Sequence, residues 1–146
     1  MIERLDYPGI NGPAIASMLA TKKHITSIDA GLQAMIETRV SQINGCAYCV
    51  DLHIRQAKQA GESEQRLDCL VVWRETGFFD PAEKAALAWA EALTHVSAEG
   101  APQAVFDALS EHYSDEQIVD LTLIVAQMNA WNRIAIGFGH RPDARQ

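Results

Sequence analysis

Two cysteines and a histidine form the part of the sequence with the clearest chemical potential. Cys46 and Cys49 form a C-x-x-C pair, and His53 follows the second cysteine at the i+4 position. Residues three or four positions apart share one face of an α-helix, so a helix beginning here would bring both sulfurs and the imidazole together. At a helix start, unpaired N–H groups and the positive end of the helix dipole favour thiolate over thiol. The pattern therefore predicts an exchangeable dithiol beside a proton carrier.

Other interpretations of these residues have less support. Buried cysteines are often inert core residues, but the helix-start position and the histidine favour a functional pair. A zinc site needs four ligands, usually in two pairs, whereas the third cysteine, Cys69, lies alone on an apolar helical face. A zinc site formed by Cys46, Cys49, His53 and one distant fourth ligand stays open as an alternative. Haem attachment requires a histidine where this chain has Val50, and no βαβ pattern typical of a thioredoxin-like site surrounds the motif.

The remaining interpretation is dithiol redox chemistry. A thiolate attacks an O–O or S–S bond and becomes a sulfenic acid or a mixed disulfide, which the second cysteine resolves to an intramolecular disulfide. His53 is placed to accept the thiol proton or to give a proton to the departing oxygen.

Length and charge limit the class of protein. The chain has 146 residues, enough for one domain with a sizeable core, and we find no internal repeat. The formal net charge of −7 argues against nucleic acid and anionic membranes as partners. We find no signal-peptide pattern and no apolar run of membrane-spanning length, so we expect a cytoplasmic protein. In that compartment a cysteine pair is expected to be catalytic or metal-binding, not structural.

Helices are predicted throughout the chain. Apolar residues recur at helical spacing and no alternating strand pattern occurs, so we predict an all-α protein of about six or seven helices. One helix is predicted to start after the N-cap Ser27 and to end at Asn44 and Gly45, where the helix of the cysteine pair begins. Two capping patterns, at residues 80–83 and 114–117, predict further helix starts. The last helix is apolar nearly all round and should be central and buried.

The stretch around the cysteine pair resembles a known family. The pattern S-x-I-N-G-C-x-x-C-x-x-x-H over residues 41–53 is similar, without a gap, to the alkylhydroperoxidase core motif of the AhpD-like, carboxymuconolactone decarboxylase superfamily. The similarity to its small single-domain branch covers about residues 31–136, including WRE at 73–75, EKAALAWAEAL at 83–93 and NAWNR at 129–133. The matching motif residues are Ser41, Ile43, Asn44, Gly45, Cys46, Cys49 and His53.

This resemblance implies a single AhpD-like domain over residues 1–146, in an all-helical subunit that assembles as a homotrimer or homohexamer. It also implies peroxidase activity on a hydroperoxide, in which Cys49 attacks the peroxide, Cys46 resolves the product and His53 belongs to the proton relay. Members of the family can be recycled by a lipoyl-type dithiol, so an external dithiol or lipoyl-type reductant is implied here. The sequence gives no sign of an organic cofactor.

One position departs from the family pattern. The family relay usually includes a glutamate twelve residues before the first cysteine, where this chain has Ala34. Glu37 lies one turn further on, on nearly the same helical face, so it either replaces the missing carboxylate or is a solvated surface charge. Peroxidase turnover is therefore expected to be weak or differently tuned. The alternative function is a non-catalytic redox sensor or assembly module, whose cysteine disulfide changes its partners.

The polar residues outside this motif have simpler explanations. We expect the remaining histidines to be surface residues, namely His24, His95, His112 and His140. Asn129, Asn132 and Arg133 follow a very apolar run, so they are expected to form a buried polar network or a subunit contact.

Overall fold

The computed structural model describes residues 1–145, and Gln146 lies outside them. The described chain is one all-α domain with one continuous core, which confirms the predicted fold class. Six α-helices have eight or more residues, in agreement with the six or seven predicted, and the other three have four or five. The α-helices are α1 (Tyr7–Ile10), α2 (Gly12–Ala20), α3 (Ala30–Asn44), α4 (Ala47–Gln59), α5 (Glu64–Asp68), α6 (Pro81–Thr94), α7 (Val96–Glu99), α8 (Gln103–Ser110) and α9 (Asp115–Phe138). Two 3-10 helices cover Thr21–His24 and Leu70–Glu75.

Helices α3 and α9 form the centre of the domain. α3 packs against α4, α6 and α9, and α9 also packs against α6 and α8. The sequence predicted a central, buried helix here, and α9 is central, but Val119 and Leu123 are 57% and 40% exposed. α9 thus keeps one apolar face uncovered by the rest of residues 1–145. Within those residues, no helix combines the length and the apolar character needed to cross a membrane.

Two helix starts follow the predicted capping patterns. At α6, the Asp80 carboxylate accepts the Glu83 N–H at 2.8 Å, and Glu83 accepts the Asp80 N–H at 2.8 Å. At α9, Ser114 and Gln117 form the same reciprocal pair. Each pair satisfies two backbone donors that the helix itself leaves free, which fixes the start of both helices.

The start of α3 differs from the prediction. Asp29, not Ser27, is the N-cap, and its carboxylate accepts the Leu32 N–H at 2.9 Å. The Ser27 hydroxyl instead donates to Asp120 of α9 at 2.7 Å. Serine and aspartate cap helices about equally well, so the sequence could not distinguish two candidates so close together. Ser27 therefore ties the loop before α3 to the central helix.

Candidate active site

The junction between α3 and α4 places the cysteine pair at a helix start. Gly45 ends α3 in the left-handed conformation, with φ of 71°, which a residue without a Cβ adopts at little steric cost. The sequence predicted both cysteines in the first turn of α4, but Cys46 is the N-cap and lies one residue before that turn. Its sulfur accepts the Cys49 N–H at 3.3 Å. Both cysteines therefore lie at the positive end of α4.

Cys46 and Cys49 are joined by a disulfide, with 5.3 Å between their Cα atoms. Both residues are almost fully buried, at 1% and 3% exposed. This Cα separation is within the ordinary range for disulfides, so the spacing of the pair at the start of α4 allows a bond without a large backbone movement. When the bond is reduced, the helix start favours the thiolate form. The pair can therefore act as a dithiol and as a disulfide.

His53 lies one helical turn after Cys49 and is buried among polar partners. Its Nδ1 is 2.7 Å from Glu37 Oε2 and 2.9 Å from Gln56 Oε1. Since both of these oxygens are acceptors, Nδ1 carries the proton in the neutral ring and Nε2 keeps a lone pair. The imidazole can therefore act as a base through Nε2.

Glu37 is a buried carboxylate, which excludes its interpretation as a solvated surface charge. It is 6% exposed and accepts hydrogen bonds from Gln33 Nε2 at 2.9 Å and Lys22 Nζ at 3.2 Å, besides its contact with His53. Burial raises the pKa of this carboxyl, but the hydrogen bond and charge of His53, followed by the charge of Lys22, outweigh burial and hold the pKa below its usual value. Ala34, at the position of the family glutamate, is buried and carries no polar group.

A cavity of about 440 Å³ lies beside Cys49 and His53. Glu37 and Gln56 also line it, and most of the other walls are apolar. Most of the apolar lining comes from α2, α4 and α9 and includes Ile15, Leu19, Leu52, Ile124, Met128 and Trp131. Cys46 does not line this cavity; it borders a separate surface groove that also includes Arg145. The two cysteines therefore face different surfaces of the domain.

Both ends of the chain contribute cavity residues that the sequence analysis missed. His140, predicted to be a surface residue, is half-buried and lines the cavity with Tyr7 and Tyr48. A backbone bridge between Ile2 and His140 holds the two ends together. The prediction that His140 is a surface residue was therefore wrong. A contact between distant parts of the chain leaves no periodic pattern in the sequence, so the sequence could not reveal it. The other three histidines, His24, His95 and His112, are exposed, as predicted.

A buried polar network supports the α3–α4 junction from α9. Asn132 is fully buried, and its Nδ2 donates to Ser41 Oγ at 3.0 Å. Asn44 Nδ2 donates to the side-chain oxygens of Asn132 and Asn129, at 2.9 Å each. These contacts confirm the network predicted for the two α9 asparagines. Ser41 and Asn44, two polar residues of the cysteine motif, thus connect the last turns of α3 to α9.

The zinc alternative lacks a suitable ligand cluster in the described chain. The two cysteines that it requires are bonded to each other. Within residues 1–145, no group of three or more histidine, cysteine, aspartate or glutamate side chains is arranged to hold a metal ion.

The fold and the site define an all-helical protein with a C-x-x-C disulfide at a helix start, beside a largely apolar cavity. The chain belongs to the carboxymuconolactone decarboxylase family, whose sequence profile matches residues 14–92, and it is of the AhpD-like type.

Three proteins are similar to the chain over most of its length. It is 41% identical, over 147 aligned positions, to the uncharacterized protein YdfG of Bacillus subtilis (strain 168), covering 99% of this chain and 100% of YdfG. A protein of unknown function from Agrobacterium tumefaciens, provisionally assigned to antioxidant defence as AhpD, has a crystal structure that matches with a TM-score of 0.93 and 35% identity, over 97% of this chain and 99% of that one. An uncharacterized peroxidase-related protein from Ralstonia eutropha JMP134 with an alkylhydroperoxidase AhpD core matches with a TM-score of 0.82 and 26% identity, over 93% and 74%.

Proposed function

We propose that this protein is a thiol-dependent hydroperoxidase, which reduces an organic hydroperoxide with its Cys46–Cys49 dithiol. The observation that carries the proposal is the position of Cys49, which lines the cavity one helical turn from a buried His53–Glu37 pair. A cavity with apolar walls and a polar end fits a molecule with an apolar group and a hydroperoxide. The peroxidase-related and antioxidant descriptions of two relatives support the same class of reaction.

Cys49 is the attacking cysteine in this proposal. Its thiolate attacks one oxygen of the hydroperoxide, so an S–O bond forms and the O–O bond breaks, and the departing alkoxide takes a proton and leaves as the alcohol. Cys46 then attacks the sulfur of the sulfenic acid, an S–S bond forms and water leaves. The two thiols lose two electrons in total, and the peroxide gains them.

His53 and Glu37 form the proton relay in this proposal. Nε2 of His53 accepts the Cys49 thiol proton and returns a proton to the departing oxygen. Glu37 accepts the Nδ1–H and stabilises the imidazolium between these two steps. Because its pKa is lowered, the Glu37 carboxyl is charged at neutral pH, as this role requires.

An external dithiol or lipoyl-type carrier regenerates the site. One of its thiolates attacks the protein disulfide to give a mixed disulfide, and its second thiolate closes the carrier disulfide and releases the protein dithiol. The carrier loses two electrons and the two cysteines gain them. A reducing compartment such as the cytoplasm contains donors of this kind.

We further propose that the subunit assembles as a homotrimer or homohexamer. The uncovered face of α9 supports this, because exposed apolar surface on a central helix is typical of a subunit contact. Sedimentation of wild type and of Leu123→Lys tests it. We expect wild type to sediment as a trimer or hexamer and the variant to shift toward the monomer, whereas a monomeric wild type would refute the assembly.

Thiol counting and intact mass after one equivalent of cumene hydroperoxide test the peroxidase proposal. We expect the reduced wild type to lose two thiols rapidly. Cys46→Ser is expected to stop at a sulfenic acid on Cys49, and Cys49→Ser is expected to lose the fast reaction. Cys69→Ser is the matched control, because it removes a free cysteine outside the disulfide. This variant starts with one thiol fewer, but it is expected to lose two thiols at the wild-type rate. A wild-type rate no faster than that of a free thiol, or a fully active Cys49→Ser, would overturn the proposal.

A redox-sensing role is the second candidate. It is favoured by the ion pair between Arg145, in the C-terminal segment, and Asp51 of α4, which joins that segment to the helix carrying the disulfide. In this role, reduction of the disulfide changes partner or subunit contacts with no appreciable turnover. Identical sedimentation and identical partners for the oxidised and reduced forms would exclude it.

A further inference from the structure

We propose that His140 is a catalytic residue that binds the hydroperoxide through a ring N–H, separately from the His53 relay. This inference rests on the proposed peroxidase function and deepens it. His140 immediately follows Gly139, the C-cap of α9, and its own backbone N–H donates to the Ala135 carbonyl at 2.8 Å. The end of the central helix thus fixes the backbone of a residue that lines the cavity.

The position of the imidazole is fixed by stacking. Its ring lies on the ring of Tyr48, with centroids 3.6 Å apart and planes inclined by 22°. Tyr48 is the residue directly before Cys49, and both line the cavity. The His140 ring is therefore held against the residue that directly precedes the attacking cysteine in the chain.

Tyr7 contacts one ring nitrogen of His140, and we assign its hydroxyl as the donor to that nitrogen. Its hydroxyl lies 2.9 Å from His140 Nδ1. Burial, followed by the nearby Tyr48, raises the pKa of Tyr7, so the phenol keeps its proton and can donate it to Nδ1. When Nδ1 is the acceptor, the proton of a neutral imidazole is on Nε2. His140 then has an N–H that Tyr7 does not use.

The surroundings of His140 favour the neutral ring that this arrangement needs. Burial, followed by the charge of the N-terminal ammonium, lowers the pKa of His140, and the smaller opposite effect of Asp143 does not reverse this. A neutral N–H donor can stabilise the charge that develops on a departing oxygen without giving up its proton. We therefore assign proton transfer to His53 and a hydrogen bond to the peroxide to His140.

Two substitutions of His140 test this role. His140→Phe keeps a ring that can stack on Tyr48 but removes both nitrogens, and His140→Gln keeps an amide N–H near the position of Nε2. Stopped-flow rates of dithiol oxidation by cumene hydroperoxide are measured beside rates of Cys49 alkylation by iodoacetamide and thermal unfolding. We expect His140→Phe to slow oxidation at least tenfold, His140→Gln to recover most of that loss, and alkylation to stay within twofold of wild type. His95→Gln, which changes an exposed histidine, is the matched control.

Tyr7→Phe provides a second test that is milder for the fold, because the new ring can keep the stacking that Tyr7 makes with Phe138. We expect it to slow peroxide oxidation several-fold and to leave alkylation unchanged. The inference is overturned if His140→Phe oxidises within twofold of wild type, if His140→Gln is as slow as His140→Phe, or if oxidation and alkylation slow equally. A slow wild type would refute the peroxidase function itself, whereas a fast wild type with an equally fast His140→Phe would refute only the role of His140.

Discussion

Nδ1 of His53 lies 2.7 Å from Oε2 of Glu37, across the contact between α4 and α3. The Glu37 carboxylate thus contacts the histidine that is closest in sequence to the disulfide. In the family pattern the relay glutamate lies at the position of Ala34. A different turn of the same helix therefore supplies the partner of His53.

Glu37→Gln is expected to slow oxidation of the dithiol by hydroperoxide at least tenfold. The substitution removes the negative charge that stabilises a protonated imidazole, so His53 becomes a poorer base for the Cys49 thiol. Stopped-flow oxidation under single-turnover conditions measures this step. The matched control is Glu64→Gln, whose glutamate is paired with Lys58 on the exposed surface, and it should leave the rate unchanged. Equal rates for wild type and Glu37→Gln would remove Glu37 from the relay.

The charge of Glu37 should also make stability depend on pH. Its pKa is lowered in the folded protein, so its contribution to the free energy of unfolding is fully present above the ordinary glutamate pKa of about 4.3. This contribution is lost as the pH falls through the lower pKa of the folded state. We therefore expect the difference in unfolding free energy between wild type and Glu37→Gln to shrink as the pH falls below about 4, where the Glu37 carboxylate itself becomes protonated. Urea unfolding at a series of pH values below about pH 5 measures it, and a difference that stays constant over that acidic range would contradict the assignment.

The sequence was most informative where the signal is local. Helix-start patterns such as that of Asp80 and Glu83 satisfy backbone donors within four residues, so they can be recognised without knowing what packs around them. The same is true of Gly45 as a helix stop and of the cysteine pair that follows it. This is why the all-α class, most helix boundaries and the disulfide pair could be predicted.

The rest of the site depends on how distant segments meet. The burial of Glu37 follows from the crossing of α3 and α4, and helical periodicity alone allowed both a buried and a solvated carboxylate. The contact between Tyr7 and His140 joins opposite ends of the chain, so no spacing rule could reveal it. Likewise, α9 is apolar nearly all round, but only the packing of the whole domain shows that the face of Val119 is uncovered.

Gly45→Ala is expected to destabilise the protein by about 1–2 kcal/mol, because a residue with a Cβ is strained in the left-handed conformation. An added Cβ would meet no atom within 4 Å, so the cost should come from the backbone and not from a clash. Gly12→Ala is the matched control, since an added Cβ there also meets open space and Gly12 has no positive φ. Urea unfolding should show the loss only for Gly45→Ala. Equal effects of both substitutions would show that the junction tolerates a side chain.

Asn132→Ala is expected to lower the free energy of unfolding by about 2–3 kcal/mol, because it removes two buried hydrogen bonds, one with Ser41 Oγ and one with Asn44 Nδ2, and leaves a small cavity. Ser41 also donates its hydroxyl to the backbone carbonyl of Glu37 at 2.7 Å, so the network reaches the backbone of the residue whose carboxylate contacts His53. We therefore expect a slower reaction with hydroperoxide as well as lower stability. Arg133→Ala, one residue further along α9 and exposed, should change stability by less than about 0.5 kcal/mol.

Urea unfolding and single-turnover oxidation of the two α9 variants separate the roles of this network. If Asn132→Ala loses stability but reacts at the wild-type rate, the network supports the fold and does not position the relay. If it loses both while the alkylation rate of Cys49 stays constant, the thiolate still forms and is accessible, so the defect lies in the return of a proton to the departing oxygen. The second result is the one we expect, because the cysteines are held by the start of α4, whereas the Glu37 backbone is bonded directly to Ser41.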